Sequence, residues 1–255
     1  MPKISGAMAI NATFRFYEEL NDFLKKQYRR HSFTYAFNGV TTVKDAIESM
    51  GVPHTEVDLI TVNGNPVDFN YRIMEDDTIS VYPVYESFDI SSVQLLRERV
   101  LREPKFILDV HLGKLARYLR MAGFDCLYDK HYDDTEIIQV ALSQKRIILT
   151  RDKGILKNGK VSRGMFVRSV SPKQQFNEVI SRLQLENFIH PFTRCTECNE
   201  KIVPVEKEKI IDQLQPLTRK FYSVFYQCSG CKRIYWEGSH FARMKRFMDD
   251  SQRRL

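Results

Sequence analysis

Two pairs of cysteines with the spacing Cys-x-x-Cys constrain the fold of this chain more than any other feature. Cys195 and Cys198 form the first pair, and Cys228 and Cys231 form the second. Each pair can place two thiolates on one metal ion, and two pairs complete a tetrahedral zinc site. The spacing therefore predicts a zinc-stabilised module. Because four sulfur ligands leave no open coordination position, this zinc is predicted to be structural, and any catalysis is expected elsewhere in the chain.

The segment between the two pairs contains 29 residues, which is longer than the commonest zinc-ribbon spacing. Residues 201–208 and 221–226 are predicted to form the arms of the ribbon hairpin. Basic and aromatic residues then interleave in residues 232–236 and 241–247, a composition that suits stacking on the bases of single-stranded RNA and contact with its phosphates. The alternative is that the aromatic side chains form the ribbon core, these being Tyr235, Trp236, Phe241 and Phe247.

A length of 255 residues predicts one large domain or two to three small ones. No apolar stretch is long enough to span a bilayer, so no membrane association is expected. The first residues lack an apolar signal core, which argues against export. Four cysteines in metal-type pairs, with Cys126 left over, fit a reducing environment, and the expected location is the cytoplasm.

Charge is distributed unevenly along the chain. Residues 1–88 hold 8 Lys and Arg against 12 Asp and Glu, residues 89–192 hold 18 against 12, and residues 193–255 hold 13 against 8. The last two thirds are therefore basic, beside an acidic first third. A basic surface attracts polyanions through counterion release, and nucleic acid is the commonest such partner. The alternative is a solvated basic surface with no partner.

The first segment of the chain has the pattern of a β-grasp domain. Its predicted strands cover residues 9–16, 33–37, 59–62 and 78–85. Thr41 or Thr42 is predicted to cap a short helix that ends at Gly51, and residues 63–65 form a turn between the last strands. The order strand, strand, helix, strand, strand is that of a β-grasp fold.

This segment also resembles the ubiquitin-like fold of small sulfur-carrier proteins, through Val62-Asn63-Gly64 and residues 77–84. Sulfur carriers act through a free C-terminal Gly-Gly. In this sequence the chain continues through residues 85–89 without a glycine pair. The resemblance therefore implies an interaction or regulatory domain with a protein partner rather than a sulfur carrier.

From residue 104 onward, strand and helix patterns alternate, which predicts a parallel sheet with helices on its faces. The predicted strands cover residues 106–108, 126–128, 147–149 and 165–167, and the predicted helices cover residues 112–122, 136–143 and 172–183. A charged helical connector is predicted before Pro104. The predicted fold class is multidomain α+β and α/β, with a β-grasp domain at 1–88, a linker at 89–103, a parallel α/β domain at 104–190 and a zinc ribbon at 191–255.

Two of the predicted strands end in an aspartate, Asp109 in one case and Asp152 in the other. In an open parallel sheet, ligands bind beyond the C-terminal ends of the strands, so both carboxylates are expected on the same rim. There they can share a Mg²⁺ ion, which accepts a few carboxylates and keeps its waters for a phosphate substrate. The alternative is that each aspartate only caps the helix that follows it.

A third acidic group, Asp133, Asp134 and Glu136, opens another predicted helix. Asp134 is a candidate N-cap of that helix, and it is also a candidate to complete the metal site from the same rim. Periodicity does not decide which of these carboxylates points inward. Asp134 and Glu136 rank above Asp133 as site residues.

Basic residues accompany the acidic ones. Lys114, Arg117 and Arg120 recur every three residues on the helix after Asp109, on a different face from its leucines. Such a row beside a metal-bound aspartate can grip a phosphodiester backbone, whereas the alternative is a solvated basic face. Arg151 is a fourth candidate for RNA binding, with pairing to Asp109 as its structural alternative. Cys126 lies in an apolar strand and is expected in the core.

Residues 106–125, FILDVHLGKLARYLRMAGFD, resemble the opening of a PIN-like ribonuclease domain, in the version found at the C-terminal end of mutator-type exonucleases. Residues 149–152, LTRD, resemble the second signature of that family, and both cysteine pairs match its zinc segment. The resemblance covers about residues 104–245. The β-grasp segment is similar to the ubiquitin-like domain that is sometimes fused ahead of it.

The resemblance implies a metal-dependent ribonuclease, in which acidic residues hold Mg²⁺ or Mn²⁺ and the metal activates a water against the phosphodiester. Asp109 and Asp152 match the first and the later acidic positions, and Asp134 or Glu136 matches the middle one. The acidic set is thin, since residues 153–157 contain no carboxylate. The leading hypothesis is a cytoplasmic ribonuclease acting on single-stranded or structured RNA. The alternative is a non-catalytic RNA-binding adaptor that uses the same basic surface and zinc ribbon.

Overall fold

The structure is a computed structural model that describes residues 9–83, residue 96 and residues 104–252. It divides into two compact units. The first contains the described residues up to Arg102 together with Asp152–Phe166, and the second contains the described parts of Glu103–Arg151 and Val167–Leu255. The predicted helical connector lies outside the described residues, except for Leu96.

The regular elements are numbered in chain order. The strands are β1 (Ala9–Phe16), β2 (Phe33–Asn38), β3 (Val57–Val62), β4 (Asn65–Pro66), β5 (Thr78–Pro83), β6 (Lys105–Leu108), β7 (Asp125–Leu127), β8 (Ile147–Thr150), β9 (Gly164–Phe166), β10 (Ile202–Val205), β11 (Phe225–Cys228) and β12 (Ile234–Tyr235). The α-helices are α1 (Val43–Ser49), α2 (Gly113–Met121), α3 (Asp134–Ser143), α4 (Lys153–Lys157), α5 (Pro172–Arg182), α6 (Pro216–Phe221) and α7 (Ser239–Gln252). Short 3-10 helices lie at Glu18–Phe23, Lys26–Tyr28, His54–Glu56, Val110–Leu112, Glu186–Phe188, Lys207–Lys209 and Ile211–Gln213. Across the described part of the chain, no helix combines the length and the apolar character that a membrane crossing requires.

The first unit is built on a mixed five-stranded sheet in the order β2-β1-β5-β3-β4. β1 pairs antiparallel with β2 and parallel with β5, and β3 pairs antiparallel with β5. Alternate residues of β1 point into the core, which is why Ala12, Phe14 and Phe16 are buried. Side chains of α1 join the same core. The predicted β-grasp order of elements is therefore confirmed.

Helix α1 of the first unit begins and ends where its sequence predicts. The side chain of Thr42 accepts a hydrogen bond from the backbone N–H of Asp45 at 3.2 Å, and this caps α1. Gly51 follows the helix at φ +109°, and a Cβ there would lie 2.9 Å from the carbonyl oxygen of Phe23. Glycine is required at this position by both the backbone conformation and the space.

The first unit also includes a segment that the sequence places within the parallel α/β domain. Asp152–Phe166, here called the Asp152 segment, contains α4 and β9 and belongs to the same compact unit as the β-grasp sheet. α4 and β9 both contact the 3-10 helix His54–Glu56. Two separate parts of the chain therefore make up the first unit.

The second unit contains a parallel sheet in which β6 lies between β7 and β8. Phe106, Ile107 and Leu108 of β6 are fully buried. A continuous apolar run of this kind is typical of a strand covered on both faces. At the end of β8, the carbonyl of Thr150 accepts a hydrogen bond of 2.8 Å from the backbone N–H of Val167, so this strand end is also paired. The predicted parallel α/β sheet is confirmed.

The turn after α2 fixes where a later part of the chain can pass. Gly123 has φ +99°, and a Cβ at this position would lie 2.2 Å from the carbonyl oxygen of His190. The backbone N–H groups of His190 and Phe192 donate to the carbonyls of Ala122 and Met121, at 2.9 and 2.8 Å. These bonds satisfy carbonyl groups at the C-terminal end of the helix, and they bring the chain towards the first cysteine pair.

The zinc-ribbon segment forms a three-stranded antiparallel sheet in the order β10-β11-β12. The first predicted arm is confirmed as β10. The second arm is corrected, because Phe221 ends α6 and the strand begins only at Phe225. The long spacer thus folds into 3-10 helices and α6, with a small core of its own that contains Ile210, Leu214 and Phe225.

Helix α7 packs back on the second unit through its aromatic side chains. Phe247 lies 4.6 Å from the ring of Tyr118 and 5.5 Å from that of Phe176, between ring centroids. Phe241 lies 4.5 Å from the ring of Phe192. Phe241 and Phe247 therefore have packing roles, although their partners lie outside the ribbon sheet itself.

Candidate functional site

The two cysteine pairs meet in space. The sulfur atoms of Cys195, Cys198, Cys228 and Cys231 all lie within 4.8 Å of one another. These four residues are here called the cysteine cluster. The Sγ atoms of Cys195 and Cys231 are 3.6 Å apart, and those of Cys198 and Cys228 are 3.2 Å apart. Four convergent thiols are the donor set of a tetrahedral metal site. The predicted metal-binding cluster is therefore formed.

Tight backbone turns hold each pair in place. In the first turn, the N–H of Cys195 donates to the carbonyl of Glu200 at 2.8 Å, and the N–H of Asn199 donates to the carbonyl of Cys195 at 3.0 Å. In the second turn, the N–H of Cys228 donates to the carbonyl of Arg233 at 2.9 Å. These backbone hydrogen bonds fix the conformation of both cysteine loops.

The thiols of the cluster differ in their tendency to ionise. Burial raises the pKa of Cys228 to about 12, and the neighbouring Cys198 side chain adds to the increase. Burial also opposes ionisation of Cys198, but hydrogen bonds to backbone groups and to the other thiols lower its pKa to about 6. The hydroxyl of Tyr235 lies 3.0 Å from the Sγ of Cys195, and its pKa is raised by burial and by this hydrogen bond.

Arg120 connects the first cysteine loop, residues 195–199, to the parallel sheet. Its side chain is 5% exposed, and Nε donates to the carbonyl of Cys126 at 2.8 Å. Nη1 donates to the carbonyls of Thr196 and Glu197, at 3.3 and 2.6 Å. The expectation that Arg120 shares an exposed basic face with Lys114 and Arg117 is therefore corrected. Three carbonyl acceptors hold its guanidinium inside the unit.

Asn199 completes the connection and was missed by sequence reasoning. Its Oδ1 accepts the N–H of Cys126 at 2.9 Å, and its Nδ2 donates to Asp125 at 2.8 Å. Asn199 has φ +72°, a left-handed conformation that asparagine tolerates better than most residues. The signal in the sequence is an Asn directly after the second cysteine of a pair. The loop thus occupies the free edge of β7.

Asp125 lies at the centre of this polar network. Arg146 donates to its carboxylate at 2.7 Å, and Arg194 approaches it at 3.7 Å. Burial alone would raise the pKa of Asp125, but the hydrogen bonds from Arg146 and Asn199 and the charges of the two arginines lower it. Cys126, the next residue, is fully buried, and burial raises its pKa to about 12, so this thiol is an unreactive core residue as expected.

Asp109 is placed at the C-terminal end of β6 and is 3% exposed. One of its carboxylate oxygens accepts the N–H of His111 at 2.8 Å. The other accepts the N–H of Arg151 at 2.8 Å and the hydroxyl of Thr150. These donors come from the ends of two neighbouring strands, so the carboxylate is fixed at the rim of the sheet. Thr150 is a further residue of this site that sequence reasoning did not identify.

The middle acidic group divides into two roles. Asp133 is the N-cap of α3, and it forms a capping box with Glu136 through hydrogen bonds of 2.8 and 3.0 Å. Asp134, which the sequence offered as the N-cap, is instead the first residue of the helix, and its side chain is exposed. The Glu136 side chain is exposed as well, and its carboxylate is used in the capping box.

Asp152 and Arg151 are neighbours in sequence with different surroundings. The Asp152 side chain is the N-cap of α4, and it accepts the N–H of Gly154 at 2.6 Å. The guanidinium of Arg151 donates to the carbonyl of Arg168 at 3.2 Å and to that of Ser169. The pairing of Arg151 with Asp109 therefore runs through its backbone N–H and not through its guanidinium.

A groove of about 1510 Å³ in the second unit brings basic and aromatic side chains together. Lys114 and Arg117 of α2 line it, and both are exposed. Its other basic residues are Lys173, Arg194, Arg233 and Arg243, against the acidic Glu197 and Glu237. The indole of Trp236 is 36% exposed, with the ring of Tyr222 at 6.4 Å between centroids.

Among the described residues, the cysteine cluster is the one group of three or more Cys, His, Asp or Glu side chains that converge closely enough to hold a metal ion. The acidic candidates do not form such a group in the described part of the chain. The geometry thus supports a metal centre at the cysteines, and it places the Asp109 carboxylate at the rim of the parallel sheet, held by three donors.

Comparison with known families agrees with both resemblances in the sequence. Residues 104–248 match the family model described as the Mut7-C RNAse domain, and residues 9–89 match the model described as Mut7-C ubiquitin. No curated protein and no solved structure matches the chain. The first match covers more than half of the 255 residues. The chain therefore belongs to the Mut7-C RNAse domain family and carries a Mut7-C ubiquitin domain ahead of it.

Proposed function

We propose that this protein is a ribonuclease that hydrolyses RNA phosphodiester bonds with the help of Mg²⁺ or Mn²⁺. The observation that carries the proposal is the Asp109 carboxylate, held by three hydrogen-bond donors at the C-terminal rim of a parallel sheet inside the Mut7-C RNAse domain. Ligands of open α/β sheets bind at this rim. The site we propose comprises Asp109, Asp134, Glu136 and Asp152.

Asp109 has acceptor capacity left for a cation. One oxygen accepts a single hydrogen bond, so a lone pair remains available there. The divalent ion, when bound, would polarise the phosphate and activate the attacking water. Asp134 or Glu136 is proposed as the middle acidic ligand, and both side chains are exposed at the start of α3. Asp152 is proposed as the later acidic ligand, on the strength of its match to the family signature.

The groove is the proposed path for RNA. Lys114 and Arg117 would contact phosphates, and Trp236 and Tyr222 would stack on bases. Six basic lining residues against two acidic ones favour a polyanion. An exposed indole beside cations suits unpaired bases, so we propose single-stranded RNA or single-stranded parts of a folded RNA.

Arg120 and Arg151 have a different part in the proposal. Both guanidinium groups donate to backbone carbonyls. We propose that they shape the surfaces around the site and do not themselves contact RNA. Arg151 also supplies a backbone donor to Asp109.

We propose that the cysteine cluster holds one structural Zn²⁺. Zinc suits four thiolates in a closed tetrahedral set, and such a set leaves no position for substrate. The ion would hold β10–β12 beside the groove, so that its loss would remove RNA binding together with the ribbon. Thiols that must stay reduced to bind zinc fit a cytoplasmic protein.

The direct test is cleavage of labelled single-stranded RNA by the purified protein, with Mn²⁺ or with a chelator. Asp109→Asn is expected to abolish fragments, and Asp134→Asn is expected to lower the rate at least tenfold. Because Asp109 is buried and substitution there can weaken the fold, the exposed Asp134 keeps the test valid. Asp212→Asn, at a side chain that is 99% exposed, is the matched control and should cleave normally.

The competing function is an RNA-binding adaptor without turnover. A gel shift by the wild-type protein, with no metal-dependent fragments, would favour the adaptor. Full cleavage by both the Asp109 and the Asp134 variants would remove the acidic site from the mechanism. Loss of cleavage with RNA binding retained in Asp134→Asn is the result that the ribonuclease proposal expects.

A further inference from the structure

The Asp152 segment packs on the hydrophobic core of the Mut7-C ubiquitin domain. Phe166, at the end of β9, packs on the same core cluster as the strands of the β-grasp sheet. Its ring lies 5.5 Å from that of Phe23 at an interplanar angle of 68°. The ammonium of Lys153 lies over the rings of Phe23 and Phe166, at 4.9 and 5.5 Å from their centroids.

His54 adds a buried polar connection between the same two parts. It belongs to the 3-10 helix that precedes β3 and is 6% exposed. Its Nε2–H donates to the carbonyl of Val161 at 2.7 Å, and its Nδ1 is hydrogen-bonded to Glu48 at 2.6 Å. A buried polar group costs free energy unless it has a partner, so the Nε2–H group of His54 is satisfied only while Val161 stays in place.

Two further contacts lie on either side of His54. The ammonium of Lys157 donates to the carbonyl of Glu48 at 2.7 Å, near the C-terminal end of α1, where a cation is favourable. The carboxylate of Glu56, which is 1% exposed, accepts the backbone N–H of Phe166. The β-grasp domain therefore contacts the Asp152 segment in α4, in the following loop and in β9.

The Asp152 segment cannot hold this conformation by itself. α4 contains five residues, well below the length at which an isolated helix is stable in water. Ile155, Leu156 and Val161 are buried in the folded unit. Without the β-grasp domain, Phe166 would lose the core on which it packs, and Val161 and the helix α4 would lose their hydrogen-bonded partners His54 and Glu48.

The order along the chain makes this attachment relevant to the proposed site. The backbone N–H of Arg151 donates to Asp109, and the next residue, Asp152, begins the segment that belongs to the β-grasp unit. The Asp152 side chain caps α4, so its orientation depends on the presence of that helix. A β-grasp domain that orders α4 thereby also orders Asp152.

We propose that the ubiquitin-like domain is a positioning element of the nuclease, which holds the Asp152 segment folded, and with it the last acidic residue of the site. The inference rests on the proposed function for its catalytic consequence, but not for the attachment itself. His54, Glu56 and Lys157 are the positioning residues. They act through the segment and do not touch RNA.

The test uses the full-length protein and two readouts, hydrogen exchange of residues 152–166 and cleavage kinetics. His54→Ala is expected to raise exchange in the segment at least tenfold, to lower kcat at least tenfold and to leave KM for RNA within twofold. In His54→Gln the amide can still donate to the Val161 carbonyl. This variant should recover most of the protection of the segment from exchange and most of kcat. His31→Ala, at an exposed histidine of the same domain, is the matched control and should change neither.

Two more variants keep the test decisive if His54→Ala unfolds the domain. Glu56→Ala removes the acceptor for Phe166, whereas Glu56→Gln keeps an acceptor oxygen, so the first should open the segment and the second should not. Segment exchange unchanged in His54→Ala and Glu56→Ala would overturn the attachment. An open segment with wild-type kcat would overturn the positioning role. A wild-type protein that cleaves no RNA would instead refute the proposed function, while the exchange data would still decide the attachment.

Discussion

The first cysteine loop and the Asp152 segment are both attached to structure far away in sequence, but by different forces. Two charged side chains, the buried Arg120 and the partly buried Asp125, hold the loop against β7. The segment is held against the β-grasp domain by packing of Phe166 on the core and by hydrogen bonds that involve His54, Glu56 and Lys157. A buried charge that loses its partner costs more than an apolar contact that shrinks. In both attachments, loss of a buried polar partner is therefore expected to cost more than truncation of an apolar side chain.

The largest effect is expected from loss of the metal. Cys228→Ser removes a ligand of the cysteine cluster, and structural zinc contributes on the order of 10–16 kcal/mol to small domains, more than their whole stability. Residues 195–235 should then unfold while the Asp152 segment stays protected from hydrogen exchange. Native mass spectrometry should find one zinc in the wild type and none in the variant. Cys126→Ser, outside the cluster, should keep one zinc; its loss there would contradict the assignment of the ligands.

Arg120→Ala comes next in magnitude. It removes the donors to the carbonyls of Cys126, Thr196 and Glu197, and an expected cost of roughly 3–5 kcal/mol follows from leaving buried acceptors without partners. Arg120→Lys should restore little of the lost stability, because one ammonium cannot make the same set of hydrogen bonds as the planar guanidinium. The urea midpoint measures the change. Arg117→Ala on the same helix, with a side chain 63% exposed, should cost at most about 1 kcal/mol. Equal costs for the two alanine variants would contradict the buried role of Arg120.

Leu156→Ala probes the apolar packing of α4 within the Asp152 segment. Leu156 is fully buried in α4, and truncation of such a side chain costs about 2–4 kcal/mol. The expected result is local opening, with faster exchange in residues 153–166 and no change in residues 104–150. Val170→Ala, at a side chain 79% exposed, should stay within about 0.5 kcal/mol of wild type. Cooperative unfolding of both units by Leu156→Ala would show that the segment is not attached independently.

The smallest expected effect depends on pH. The pKa of Asp125 is lowered in the folded protein, so its contribution to stability is complete above the pKa of an unfolded aspartate and is lost as the pH falls through the folded pKa. Asp125→Asn should therefore cost about 2 kcal/mol at pH 7 and progressively less below about pH 4. Urea midpoints of both proteins, measured with excess zinc at each pH, test this. A difference that stays constant down to pH 3 would contradict the role of the carboxylate charge.

The sequence determined those features that depend on neighbouring residues. Cysteine spacing predicted the cluster, alternation predicted β1, and Thr42 and Gly51 predicted the bounds of α1. Caps, turns and side-chain periodicity act within a few residues, so their pattern is visible without the fold. The same local logic could not separate the N-cap Asp133 from Asp134, because both residues suit the first turn of α3.

Tertiary structure decided which partners distant residues have. By spacing, Arg120 belongs to a basic row on its helix. Its guanidinium is nevertheless held inside the second unit by hydrogen bonds to carbonyls about 76 residues later in the chain. Asp152 follows a strand of the parallel sheet, yet its segment folds with the β-grasp domain, where His54 meets Val161 across 107 residues. Hydrogen bonds and burial between residues so far apart depend on how the whole chain folds, and local residue patterns do not predict this.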